Sequence, residues 1–210
     1  MTSPCDSITA LILAGGRGLR MGGVDKGLQP FRGLPLVQQT RLRLQQQSRV
    51  PEPIVINANR HLDAHAALGA EVWPDTLDGF AGPLAGFLTG LQRCRTPLLL
   101  TVPCDTPLFP LDLVERLYDA LVAEQADMAI ALAREGDDPQ GPLRPQPVFC
   151  VLRTGLQHSL ADFMRQGGRK VDAWTAQHRC ARVAFDRPQD SPNAFFNANT
   201  LQELQQLESP

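Results

Sequence analysis

The residues from Ile8 to Ala14 form an apolar run, and the chain then opens into Gly15-Gly16-Arg17-Gly18-Leu19-Arg20-Met21-Gly22-Gly23-Val24-Asp25-Lys26-Gly27. No other stretch constrains the fold as much. An apolar run of this kind suits a strand buried on both faces, and such strands belong to parallel sheets covered by helices. Glycines at its end let backbone N–H groups turn toward a ligand and let that ligand come close. Arg17, Arg20 and Lys26 place positive charge over the same cradle. A strand that empties into a Gly-rich basic loop has the outline of a phosphate site. The competing reading is a Gly-rich turn with solvated charges.

Spacing tests which phosphate loop this is. A Walker loop needs Gly, four residues, then Gly-Lys-Ser/Thr, but Lys26 follows Asp25 and precedes Gly27. A dinucleotide fingerprint needs Gly-x-Gly-x-x-Gly; Gly16 and Gly18 fit, and Met21 stands where the third glycine should be. The stretch Leu13 to Lys26 instead resembles, without a gap, the signature of nucleotidyltransferases that join an NTP to a phosphorylated acceptor. Lys26 and Lys170 are the only lysines, against eighteen arginines. A compact point charge therefore replaces the usual planar fork at Lys26.

The chain has 210 residues, which suits one domain spanning 1–210 with a sizeable core. A formal net charge of −2 argues against a nucleic-acid protein. No apolar run approaches the ~20 residues of a membrane helix. The N-terminus has no basic start, so no signal peptide is expected. Five scattered cysteines without a C-x-x-C pair read as reduced cytosolic thiols.

Along the chain, strands are expected at Ile54–Ile56, Ala70–Trp73, Leu98–Val102, Met128–Ala133 and Cys180–Phe185, with a further one at Phe195–Asn199, while Leu28–Phe31 and Pro147–Leu152 read as extended. Helices are expected at Leu36–Ser48, His61–Leu68, from Pro83, from Pro110, at Leu156–Met164 and at Val171–His178. Thr200-Leu201-Gln202-Glu203 reads as a capping box opening a C-terminal helix. Arg134–Pro145 reads as a polar loop. His61 and His65 share a helix face, but without a third ligand they read as a solvated surface. The repeated strand–loop–helix order predicts an α/β fold, mostly a parallel sheet with helices on both faces. In such sheets ligands bind beyond the carboxyl ends of the strands. The loop Gly15–Lys26, Asn57, Asp75 and Asp105 all follow strand ends and should therefore meet in one crevice.

The chemistry follows from residue type. Asp105 is the best metal candidate, because Mg²⁺ takes one or two carboxylates and leaves its other positions to phosphates and water; it could equally be a turn residue. Asp75 could accept from a nucleoside or cap a turn. Arg20 and Lys26 suit a triphosphate, where nucleotidyl transfer needs positioning and positive charge more than covalent chemistry. No catalytic base is required when the acceptor is an anionic phosphate. Gly167-Gly168-Arg169-Lys170 is a smaller Gly-basic turn before a helix, a candidate for the acceptor's terminal phosphate.

Together with Asn57-Ala58-Asn59-Arg60, Gly82-Pro83-Leu84-Ala85-Gly86, Pro103-Cys104-Asp105-Thr106-Pro107 and Asn197-Ala198-Asn199-Thr200, these residues resemble the molybdenum cofactor guanylyltransferase family. The resemblance implies a three-layer Rossmann-like nucleotidyltransferase fold that attaches GMP from GTP to molybdopterin and releases pyrophosphate, with Mg²⁺. It implies that the part to about residue 125 holds GTP through Leu13, Ala14, Gly15, Gly16, Lys26, Asn57, Asp75 and Asp105, with Asp105 also on Mg²⁺. Gln146-Pro147-Val148 and Asn197 to Asn199 would lie on the molybdopterin side, where the turn with Arg169 and Lys170 is a separate candidate read from its residues alone. A cytoplasmic monomer is expected, with passing contact to proteins that deliver the cofactor or mature molybdoenzymes. The rivals are a cytidylyltransferase on the same pterin, another NTP:phosphate nucleotidyltransferase, a non-catalytic nucleotide-binding module, and a Rossmann dehydrogenase. Met21 and Asn57 weaken the last.

Overall fold

The computed structural model describes residues 6–15, 24–77, 82–134, 141–198 and 200–208. Gly16, Arg17, Arg20, Met21 and Asn199, together with residues 135–140, lie outside them. β1 (Ile8–Leu13) runs through the centre of the molecule and is buried along nearly its whole length. A hairpin of β2 (Pro30–Phe31) and β3 (Leu34–Pro35) leads into α1 (Leu36–Gln45). Then come β4 (Ile54–Asn57), α2 (Leu62–Ala66), β5 (Glu71–Trp73), α3 (Pro83–Arg93), β6 (Leu98–Pro103) and α4 (Leu113–Ala123). β7 (Met128–Arg134), β8 (Leu143–Arg153), α5 (Gln157–Arg165), α6 (Val171–Thr175), β9 (Cys180–Ala184) and α7 (Leu201–Glu208) complete the chain.

The main sheet has the order β5-β4-β1-β6-β8-β7-β9. β5, β4, β1 and β6 are parallel, and β8 runs antiparallel to both neighbours. Alternate residues of β1 feed two cores. Ile8, Ala10 and Ile12 pack with Val37 and Leu44 of α1 and with Leu113, Leu117 and Leu121 of α4. Leu11 packs on the other face with Phe87 and Leu88 of α3, Leu160 of α5 and Trp174 of α6. The period-two alternation of a strand therefore builds the three layers. No helix of the described residues is long and apolar enough to cross a membrane.

The topology locates the crevice. After β1 the chain moves outward to β4 and β5, then returns to β6 on the other side of β1. The order reverses between β1 and β6, and the loops leaving these two strands diverge there, opening a cleft at their carboxyl ends.

Several expected boundaries move. The segment Leu28–Phe31 is a 3₁₀ turn at Lys26–Leu28 followed by β2. The helix expected from Pro110 begins at Leu113. The helices expected at His61–Leu68 and Val171–His178 shorten to α2 and α6. Leu143–Pro145, read as loop, belongs to β8 because Arg134, Ala133 and Leu132 of β7 pair with it. No strand forms at the described residues of 195–199; the chain turns there, with Phe196 N–H donating to Asn193 C=O at 3.1 Å and Ala198 N–H to Asp105 C=O at 3.0 Å. The capping box forms as expected. Thr200 N–H donates to Glu203 Oε2 at 2.8 Å and Glu203 N–H to Thr200 Oγ1 at 3.1 Å.

Candidate active site

A cavity of about 300 Å³ sits at the carboxyl ends of β1 and β6. Its lining includes Leu13, Gly15, Asn57, Asp75, Asp105, Gln146 and Asn197, gathered from strand ends and loops far apart in the sequence. Apart from Gly82 and Thr106, the remaining wall is apolar: Pro83, Pro103, Pro147, Val148, Phe149 and Phe195.

One polar cluster lies beyond β4 and β5. Asn57 Nδ2 donates to Trp73 C=O at 2.9 Å and to Asp75 Oδ1 at 2.8 Å. Asn59 Nδ2 donates to Asp75 Oδ2 at 2.7 Å, and Asp75 N–H returns a bond to Asn59 Oδ1 at 2.8 Å. Two amides thus fix both oxygens of one carboxylate, leaving lone pairs for a ligand donor. The cluster also explains two glycines. A Cβ on Gly15 would meet Asn59 Nδ2 at 2.9 Å, and one on Gly86 would meet Asn57 Oδ1 at 2.5 Å. Ala14 is buried beside this cluster and donates its N–H to Asn57 C=O at 2.8 Å.

The second cluster lies at the seam between β1 and β6. Lys26 Nζ is 2.6 Å from Asp105 Oδ2, with side chains 16% and 18% exposed. Cys104 N–H donates to Leu13 C=O at 3.1 Å, tying the end of β6 to β1. Burial and the neighbouring Asp105 carboxylate push the Cys104 thiol far up, so it stays neutral. With its amide nitrogen turned to the carboxylate, Asn197 donates to both Asp105 oxygens, at 2.9 and 2.7 Å. In the opposite orientation its oxygen would accept from Lys26 at 3.4 Å. The doubly bonded orientation fits better, because the acceptor-only carboxylate then gains two donors. Among the described residues no group of three or more His, Cys, Asp or Glu is placed to hold a metal.

The third wall comes from a bulge in β8. Its pairing with β7 passes from Ile130–Cys150 directly to Ala131–Gln146. Pro147, Val148 and Phe149 are left out of that ladder. Proline has no N–H to offer it, and bulges re-aim side chains beside sites. Thr101 Oγ1 takes up Val148 C=O at 2.7 Å. Phe149 meets Phe195 edge-on with centroids 5.0 Å apart.

The sequence-derived residues thus divide. Leu13, Gly15, Asn57, Asp75, Asp105, Gln146 and Asn197 come together, and Lys26 joins them through Asp105. Arg169 and Lys170 do not line the cavity; Arg169 donates to Met164 and Gly168 carbonyls, and Lys170 is the exposed residue before α6. Asn59 and Asp25 were not singled out individually. Asn59 carried a signal in its place two residues after Asn57 at a strand end. His65, expected on a solvated face, is fully buried at 0% exposure, with Nε2 3.2 Å from Asp25 Oδ2. The solvated reading is corrected for His65, which packs against the turn that carries Lys26, and it holds for His61, which is exposed.

The architecture is that of nucleotidyltransferases. Molybdopterin-guanine dinucleotide biosynthesis protein A from Archaeoglobus fulgidus superposes with a TM-score of 0.73 at 20% identity, over 95% of this chain and 96% of that one. The 4-diphosphocytidyl-2C-methyl-D-erythritol synthase from Anaerococcus prevotii gives 0.72 at 13% identity, over 99% and 98%. At sequence level, residues 10–207 match the MobA-like NTP transferase domain. A molybdenum cofactor guanylyltransferase of Albidiferax ferrireducens is 62% identical over 207 residues, 98% of either chain. One from Bordetella pertussis is 56% identical over 204 residues, covering 97% of this chain and 98% of the other. The chain belongs to the MobA-like NTP transferase family.

Proposed function

We propose that this protein transfers GMP from GTP to the terminal phosphate of molybdopterin, forming the guanine dinucleotide and releasing pyrophosphate. The observation that carries the reading is the seam itself. Lys26 and Asp105 meet between a polar wall at Asn57 and Asp75 and a largely apolar wall at Phe149 and Phe195, so two different substrates can approach one reaction centre. The relatives' names supply guanine and the pterin.

An acceptor phosphate oxygen attacks the α-phosphorus of GTP, one P–O bond forms, and the bond to the β-phosphate breaks. The nucleophile is already anionic, so no residue need take a proton. Asn57 and Asp75 hold the nucleoside end, and Lys26, with Arg20 from the Gly-rich loop, meets the triphosphate. Asp105 is the residue that would hold Mg²⁺. Its hard oxygens reach the cavity, and a lone carboxylate leaves the coordination that phosphates and water fill in magnesium sites. When bound, the ion supplies charge neutralisation on the phosphates. Lys26, 2.6 Å from Asp105 Oδ2, would offer its ammonium to the phosphate oxygens. Gln146, Phe149, Phe195 and Asn197 face the acceptor. Arg169 and Lys170 stand outside this wall; if they take the acceptor's phosphate, neutralising both raises the acceptor KM and leaves GTP binding intact. The reading carries with it a cytoplasmic, monomeric enzyme.

The test is mass spectrometry of product after incubation with molybdopterin, Mg²⁺ and each NTP in turn, beside Asp105→Ala. Product with GTP alone, lost in the variant, is expected. A cytosine dinucleotide would overturn the base assignment, and no product with any NTP would overturn the acceptor.

A further inference from the structure

We infer that Asp25 and His65 act as a positioning pair for Lys26, holding the root of that lysine so that its ammonium reaches the reaction centre. This rests on the nucleotidyl-transfer reading above and extends it to residues that touch no substrate.

The first observation is what α2 buries. Leu62, Asp63, Ala64 and Ala66 are exposed, and His65 alone is buried, at 0% exposure. A surface helix ordinarily turns apolar side chains inward. Here a polar ring goes in, and among the described residues its buried Nδ1 has no hydrogen-bond partner. An unmatched buried polar atom is unfavourable, so packing alone would favour an apolar residue. What the ring provides is Nε2, 3.2 Å from Asp25 Oδ2.

The second observation is what Asp25 does with its remaining atoms. Oδ1 accepts from Gly27 N–H at 3.1 Å, capping the turn Lys26–Leu28. Its carbonyl accepts from Leu28 N–H at 3.3 Å and from Gln29 Nε2 at 3.1 Å. The ring also fills the space beside Gly27, where a Cβ would lie 3.2 Å from His65 Cε1 and 3.2 Å from Ala14 Cβ. Lys26 therefore leaves a turn fixed on one side by Asp25 and on the other by the imidazole. A lysine carries its charge on a flexible four-carbon stem. Placing Nζ 2.6 Å from Asp105 requires that the stem start from a fixed point.

The experiment compares His65→Leu, His65→Gln and Asp25→Asn with the parent, in a Lys26 and in a Lys26→Ala background. Glutamine offers an amide N–H near the place of Nε2; leucine fills space and donates nothing. Misplacing a group by an ångström can slow a reaction by two orders of magnitude, so His65→Leu should lower kcat about 10- to 100-fold. The acceptor KM should stay within about twofold, since uniform binding is untouched. His65→Gln should recover most of the rate. In Lys26→Ala, His65→Leu should add little, because groups acting through one another are non-additive. A second readout needs no activity. Acylation of Lys26, measured against Lys170 as the only other lysine, should speed up in His65→Leu. An equal loss in both backgrounds, no rescue by glutamine, or an unchanged Lys26 to Lys170 labelling ratio would overturn the positioning role. A parent chain that makes no nucleotidyl product would overturn the functional reading instead, and the labelling ratio would still decide the pair.

Discussion

Gly86→Ala is the sharpest test of how the fold supports the polar cluster. Gly86 lies in α3, where alanine would normally be the better residue by up to about 1 kcal/mol. A Cβ there would sit 2.5 Å from Asn57 Oδ1 and 2.5 Å from Leu13 Cδ2. Asn57 cannot simply rotate away, because its Nδ2 is committed to Trp73 C=O and Asp75 Oδ1. Overpacking costs about 1–3 kcal/mol, and a lost hydrogen bond to a charged group about 1.5–3. After the helix gain, the net destabilisation should be about 2–5 kcal/mol. GTP binding should weaken about tenfold or more, since each 1.4 kcal/mol is tenfold. Denaturant unfolding and calorimetric titration with GTP measure the two effects. Gly90→Ala separates them: its Cβ would meet only the tips of Leu99 and Leu11, at 2.7 and 2.8 Å. That variant should lose stability and keep its GTP affinity. Gly155→Ala, with nothing within 4 Å, should change neither. Unaltered GTP affinity in Gly86→Ala would refute the claim that Asn57 and Asp75 form the nucleoside wall.

Three further outcomes follow from individual side chains. Asp105→Asn should cost about 1–3 kcal/mol of stability, because it leaves the mostly buried Lys26 ammonium without its counter-charge, and lower turnover about 100-fold or more; melting curves set beside product formation measure both. The Asp25 carboxyl faces burial, which raises its pKa, but the His65 hydrogen bond and charge, the Gly27 N–H and Arg60 outweigh it, so it lies below the usual 3.8. A depressed folded value stabilises fully above the unfolded one and is lost as pH falls through the folded one. Asp25→Asn should therefore flatten the loss of stability below about pH 4 in acid titrations followed by circular dichroism. Burial pushes the Cys150 thiol up to about 12 and the Cys104 thiol higher still. Iodoacetamide at about pH 8 should leave both unlabelled in the native chain, since the thiolate is the reactive form, and should label both after denaturation.

What the sequence made legible is what depends on local order. The strands are short apolar runs, and strand–loop–helix repetition orients them, so Asn57, Asp75 and Asp105 could be brought together by the strand-end rule alone. Less legible is whatever depends on a partner distant in the chain. His61 and His65 showed helical spacing, and spacing cannot reveal that His65 packs on a turn 40 residues earlier. Asn197 reaches Asp105 across 92 positions through a segment with no regular structure; the family resemblance pointed to it, but periodicity could not. The β8 bulge had a visible cause in Pro147, yet the strand it interrupts is recognisable only once β7 and β6 lie on either side. The segment 195–198 read as a strand because Phe195 and Phe196 suit one. Phe195 instead packs edge-on against Phe149 and Phe185, and the sheet already ends at β9.

The sheet order also gives the crevice two unlike walls, as the proposed reaction of two unlike substrates would require. Parallel strands β5, β4 and β1 deliver their loops to one end, and those loops carry amides, a carboxylate and glycines, the groups that bind a polar nucleotide. Beyond β6 the direction reverses. Antiparallel β8 therefore reaches the same end with its body rather than its terminus, and a strand body presents side chains, not open backbone. Its bulge turns Val148 and Phe149 inward, and Phe195 closes over them. A polar wall and an apolar wall thus arise from strand direction alone. Asp105 stands in the turn just past β6, the last strand before the reversal, and the turn Lys26–Leu28 brings Lys26 next to it. A charged pair at that boundary is within reach of a phosphate entering from either side.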